Sequence, residues 1–145
     1  MDQERYPVTT DNTHVTYEFL SQGPRGTIKK VVLYQKQAGN YFNLAFGDWN
    51  EEELKIDDTA RSNNNDRDKV LRTVALTIID FIKYYPDAII FLKGSTTART
   101  RLYQIEILEN QTEIAQLFDI QGFFNGHWKV FEASGNYEAF ALKAK

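Results

Sequence analysis

The sequence predicts an α+β fold on three observations. Apolar and polar residues alternate through the first third of the chain, one long stripe of helical period occupies the middle, and short β-rich runs separated by turn residues close it. Residues 14–20 set Val15, Tyr17 and Phe19 on one side and Thr16 and Glu18 on the other, the period of a half-buried strand. Ser21, Gln22, Gly23, Pro24, Arg25 and Gly26 read as a turn. A second strand over 27–35 is rich in β-formers at Ile28, Val31, Val32, Leu33 and Tyr34. Ala38, Gly39 and Asn40 close a hairpin onto a third strand at 41–46, so an N-terminal three-stranded antiparallel sheet is expected.

Residues 48–65 read as an acidic surface loop carrying Asp48, Glu51, Glu52, Glu53, Asp57 and Asp58, anchored by Trp49, Leu54 and Ile56, with a short strand at 54–56. Asn65 or Asp66 then caps a helix over 66–85, since a short polar side chain satisfies the unpaired N–H groups of a first turn. Val70, Val74, Ile78, Phe81, Ile82 and Tyr85 form its apolar stripe, Lys69, Arg72, Thr73, Asp80 and Lys83 lie opposite, and Pro86 ends it. This is the central core helix of the expected fold.

Residues 88–92 are a continuous apolar run, hence a buried strand. Residues 98–109 fit both periods: Ala98, Leu102, Ile105 and Leu108 suit a helix, whereas Arg101, Tyr103, Ile105 and Ile107 suit a strand. A cap at Ser95 or Thr96 decides for the helix. A short helix at 113–118 and strands near 122–124, 128–131 and 137–142 complete the chain, with turns at Asn125-Gly126 and Ser134-Gly135-Asn136.

A chain of 145 residues with 42% hydrophobic, 14% aromatic and 26% charged residues has the composition of one globular domain, with residues 1–12 a flexible start. No cysteine is present, which excludes disulfides, thiolate nucleophiles and Cys-based zinc sites and suits a reducing cytoplasm. The acidic start Met1-Asp2-Gln3-Glu4-Arg5 lacks the apolar core of a signal peptide, and the apolar runs are far short of a membrane span. A net charge of −3 argues against a broad face for long duplex nucleic acid.

Four stretches resemble a family of small uncharacterised bacterial proteins, found chiefly in Bacteroidetes and classed as a domain of unknown function. They are Asn43-Leu44-Ala45-Phe46-Gly47-Asp48, the helix start from Asn64-Asn65-Asp66 to Val74, Gly94-Ser95-Thr96-Thr97-Ala98-Arg99-Thr100-Arg101-Leu102-Tyr103, and Asn136-Tyr137-Glu138-Ala139-Phe140. The resemblance implies a bacterial cytosolic protein and carries no established activity, substrate or catalytic residues.

The most suggestive pattern is the turn from Gly94 to Arg101. A helix starting at Ser95 or Thr96 would aim free N–H groups and hydroxyls at one volume, the arrangement that binds phosphate or carboxylate, and Arg99 and Arg101 add forked donors. Ser95, Thr96, Thr97, Arg99, Arg101 and Tyr103 are thus the candidate anion site. A purely structural N-cap with solvent-exposed arginines is the commoner use of such a sequence. On a helix Arg99 and Arg101 stand about 200° apart, so one of them faces the anion, whereas on a strand they share a face and both engage it.

Asp48, Asp57, Asp58 and Asp66 are hard oxygen ligands without an EF-hand spacing, and neither a metal nor a cofactor is expected. His14 and His127 pair with no nucleophile in sequence. Tyr41, Phe42, Phe46, Trp49, Phe123, Phe124 and Trp128 could stack bases on a sheet face, although aromatics at strand period are more often core. The leading reading is a non-enzymatic binding or interaction module for a phosphate-containing small ligand or a protein partner. The alternatives are a small metal-free enzyme acting on a phosphate-containing substrate, such as a toxin-like ribonuclease or phosphodiesterase, using Arg99, Arg101, Tyr103 and His127, and a structural homo-oligomer, for instance a homodimer, built on a strand edge or aromatic patch.

Overall fold

The computed structural model describes residues 4–57, 64–94 and 96–145. Within them the order is β1 (Thr9–Thr10), β2 (Thr16–Gly23), β3 (Gly26–Ala38), β4 (Tyr41–Asn50), β5 (Lys55–Asp57), α1 (Arg67–Tyr84), β6 (Ile89–Leu92), α2 (Thr97–Glu109), α3 (Gln111–Leu117), β7 (Phe118–Phe124), β8 (His127–Val130) and β9 (Ala139–Ala144). The fold is α+β, and its strands form one mixed sheet in the order β1-β2-β3-β4-β6-β9-β7-β8, with β5 on β4. The three expected N-terminal strands are therefore a third of a sheet of nine rather than a sheet of their own. Their continuation is parallel: β4 pairs β6 from Tyr41↔Ile89 to Leu44↔Leu92, and α1 makes the crossover that a parallel pair requires.

Strands β2 to β4 run longer than expected. Ser21, read as a turn residue, is fully buried in β2, and the reversal shrinks to Pro24-Arg25, closed by Gly26 at φ +86°, a left-handed value that glycine adopts without strain. β4 continues through Asn50, which takes Asp48 and Trp49 out of the acidic loop and into the sheet. Asp48 lies opposite Lys30 of β3, and the two form a buried ion pair. Cross-strand pairing made this segment a strand, because the Lys30 ammonium compensates a carboxylate that reads as loop in isolation.

Helix α1 lays Val70, Val74, Ile78 and Phe81 on the sheet, against Tyr17, Phe19, Val32, Tyr34, Phe42, Leu44 and Ile90. Phe81 stacks on Tyr34 at 4.0 Å between ring centroids. Thr73, assigned from its polarity to the outer side, is fully buried. Its hydroxyl donates to the Lys69 carbonyl and accepts the Tyr6 backbone N–H at 2.8 Å, so its polar atom is satisfied and its methyl can join the core. Tyr6 also stacks on Phe19 and donates its hydroxyl to Asp66, which joins Tyr6 to β2 and to the residue before α1. Asp66 precedes α1 but makes no side-chain cap, its carboxylate accepting instead from Tyr6 and Ser21.

Residues 97–109 are helical, and Thr96 is the cap, its hydroxyl accepting the Arg99 N–H at 3.2 Å. Among the described residues no helix is long and apolar enough to cross a membrane. The buried cluster lies on one face of the sheet, the face that α1 and α2 cover.

Candidate functional site

The β6–α2 junction is closed by its own hydroxyls. Gly94 donates its N–H to Thr100 Oγ1 at 3.0 Å, Thr100 Oγ1 donates to the Thr96 carbonyl, and the Thr96 hydroxyl holds Arg99 N–H. Gly94 sits so close to α2 that a Cβ there would lie 2.4 Å from the Thr100 backbone nitrogen. Thr96 is thus committed to the helix start, Thr97 is exposed, and Ser95 lies outside the described residues.

The same junction leaves a notch in the sheet. On the edge of β4 away from β3, β6 pairs through Leu44 and β5 begins at Asp48, so the residues between them have no strand partner on that edge among those described. A hollow of about 70 Å³ opens here, lined by Asn43, Leu44, Ala45, Phe46, Lys93, Arg99 and Tyr103. Arg99 and Tyr103 are four residues apart and share one face of α2, whereas Lys93 enters from the end of β6. The hollow therefore carries two cations, a phenol and an amide. Arg101 lies outside its lining and directs its guanidinium to Asn136 Oδ1 at 3.4 Å. The helical period thus sends the two arginines apart.

Lys93 and Asn43 were not among the sequence candidates. Lys93 closes an apolar run and reads as ordinary strand punctuation, and Asn43 is the one polar side chain between Phe42 and Leu44 in a strand whose neighbour could not be named from sequence. The four residues of the ribonuclease reading do not converge. Arg99 and Tyr103 reach the hollow, while Arg101 and the exposed His127 at the β7–β8 hairpin do not.

His14 belongs to a separate cluster. Its Nδ1 meets Asp80 Oδ2 at 2.9 Å, Tyr17 donates to the same oxygen at 2.6 Å, and the imidazole stacks on Tyr84 at 3.6 Å. Burial pushes the Asp80 carboxyl up, but the hydrogen bonds from Tyr17 and His14 outweigh it and hold the carboxyl below its ordinary value. With Tyr85 donating to the Thr13 carbonyl, this cluster clamps the loop before β2 onto α1. Sequence could not find it, since 66 residues separate its His and Asp.

The carboxylates considered as metal ligands are dispersed. Asp48 pairs Lys30, Asp57 faces Asp48 across β5, Asp66 holds Tyr6 and Ser21, and Asp58 lies outside the described residues. A different trio, Asp68, Glu106 and Glu109, brings carboxylate oxygens within 4.8 Å of one another. Burial, with Glu109 and Asp68 adding repulsion, raises the Glu106 carboxyl above its ordinary value despite its hydrogen bond from Asn110.

The aromatic candidates divide by face. Phe42 is buried core and Phe46 packs against it. Trp49 lies under the Lys29 ammonium at 5.5 Å, and Tyr41, Phe124 and Trp128 are exposed.

The chain belongs to the family of unknown function DUF6934, which matches residues 2–145. No curated protein and no solved structure matches it.

Proposed function

We propose that the protein is a single-domain binding module of the bacterial cytoplasm whose ligand presents a phosphate or similar oxyanion to the hollow between β4, the end of β6 and α2. The observation that carries this reading is the shared lining: Lys93 and Arg99 border one small polar hollow with Asn43 and Tyr103. A guanidinium and an ammonium on the same volume suit an oxyanion, because charge-assisted hydrogen bonds from a fork and a point charge can act on different oxygens. Thr96 and Thr100 add little directly, since their hydroxyls already serve the helix start.

The site is small. A hollow of about 70 Å³ accepts an anionic group and not a whole metabolite, so the remainder of any larger ligand must lie outside it. Among the described residues no nucleophile or acid–base pair converges on the hollow, so recognition is the better-supported role than turnover.

Calorimetric titration with inorganic phosphate and pyrophosphate at low ionic strength tests the site. Lys93→Ala and Arg99→Ala should each weaken binding by about tenfold or more, as loss of a charge-assisted hydrogen bond does, whereas Arg101→Ala should bind as the parent does. Equal binding by the Lys93→Ala/Arg99→Ala double variant would sink the assignment.

A further inference from the structure

The face of the sheet that points away from the core carries a chain of aromatic rings. Strand alternation puts Tyr41 of β4, Phe91 of β6, Phe123 of β7 and Trp128 of β8 on this face, opposite the buried Phe42, Ile90, Phe140 and Leu142. Tyr41 stacks on Phe91 at 5.5 Å with 23° between planes, Phe91 meets Trp128 at 5.7 Å, and Trp128 meets Phe123 at 5.1 Å. β9, between β6 and β7, contributes only Ala139 and Ala141 at the matching positions. Those small residues let Trp128 lean over two strands to reach Phe91. Tyr41 and Trp128 remain 46% and 41% exposed and offer accessible π-surface, while Phe91 and Phe123 are half-buried.

This stripe and the anion hollow adjoin. Asn43 of the hollow is the register partner of Phe91, and Lys93 follows the last residue of β6, two residues beyond Phe91. Lys143 is on this face too, opposite Asp119 in the register. Cations at one end of a row of stackable rings complement a ligand that is anionic at its backbone and flat in its bases. We propose that this face binds single-stranded nucleic acid, with one phosphate in the Lys93–Arg99 hollow and successive bases stacked along Phe91 and Trp128. The inference rests on the anion reading of the hollow. It adds the chemistry of what lies outside it: rings spread from β4 to β8 exceed one base, which favours a short strand over a single nucleotide. Stacking tolerates any base, so little sequence preference is expected.

The two tryptophans make the test direct. In a Trp49→Phe background Trp128 is the only indole, and its fluorescence should be quenched as a base stacks on it. Inorganic phosphate, a nucleoside monophosphate and an eight-residue single-stranded oligonucleotide are titrated in parallel, with circular dichroism confirming the fold of each variant. The expected result is that the oligonucleotide binds tightest and quenches Trp128. Trp128→Ala, made in the parent and read by calorimetry, and Phe91→Leu should each weaken oligonucleotide binding about tenfold while leaving phosphate binding unchanged, the scale of losing one stacked base. A monophosphate that binds as tightly as the oligonucleotide, with the same loss in Phe91→Leu, would overturn the strand in favour of a free nucleotide. If phosphate binds but neither nucleotide ligand exceeds it, the stacking inference falls and the hollow stands. Absence of binding by all three removes both. A concentration-dependent dimer that Trp128→Ala dissociates, with no oligonucleotide binding, would overturn the inference and assign the face to a second copy of the chain.

Discussion

Gly94→Ala is the substitution that most directly couples this fold to its candidate site. An added Cβ would stand 2.4 Å from the Thr100 nitrogen, 2.6 Å from Arg99 Cβ and 2.7 Å from Arg99 C, against the ~3.5–4.0 Å of an unstrained carbon contact. These are backbone atoms or rooted on the backbone, so no side-chain rotation relieves the overlap. The first turn of α2 must retreat by about 1 Å, which stretches the buried hydrogen bond from Gly94 N–H to Thr100 Oγ1, now 3.0 Å, past its useful range. Overpacking costs about 1–3 kcal/mol and an unsatisfied buried donor about 1–3 kcal/mol. The same movement relieves the first as it creates the second, so the expected loss is about 3 kcal/mol rather than the sum of the extremes. Urea unfolding measures it, with the slope unchanged if only stability is affected. Gly126→Ala is the control: its φ of +81° has a conformational cost of about 1–2 kcal/mol, but nothing lies within 4 Å of its added Cβ. A Gly94→Ala protein within about 0.5 kcal/mol of the parent would refute the close-packed junction, since ordinary surface changes fall in that range.

Two further outcomes follow from the buried polar groups. Asp48→Ala removes the carboxylate from the Lys30 ammonium, whose side chain is only 10% exposed, and should cost about 3 kcal/mol in urea unfolding. The double change Lys30→Met/Asp48→Leu should recover most of that loss, and no recovery would mean that the pair is not the source of the effect. Asp80→Asn should make stability less dependent on acid. The Asp80 carboxyl is held below its ordinary value, so its stabilising contribution is present above the unfolded carboxylate range and is lost as pH falls through the folded value. The stability gap between parent and Asp80→Asn should therefore be widest near neutral pH and close in acid, and a gap independent of pH would count against the His14–Asp80–Tyr17 cluster.

What the sequence determined by itself is local. The alternation at Tyr17 and Phe19 and the stripe from Val70 to Phe81 announced β2 and α1, and a cap at Ser95 or Thr96 favoured α2 where both periods fitted, because each depends on the backbone period and on neighbours within a few residues. The helical period also foretold that Arg99 and Arg101 would part. Only the tertiary structure decided what each element meets. Asp48 became a strand residue because Lys30 awaited it across the ladder, and Thr73 became core because Tyr6 supplied its donor from 67 residues away. The hollow needs Asn43 on β4, Lys93 after β6 and Arg99 on α2 to converge, and the aromatic stripe needs β6, β9, β7 and β8 to be neighbours in that order. Strand order is a property of long-range pairing, in which the entropy of closing long loops is offset by burial that no single segment contains. A segment can therefore state its period and its caps, while its partners are chosen by the whole chain.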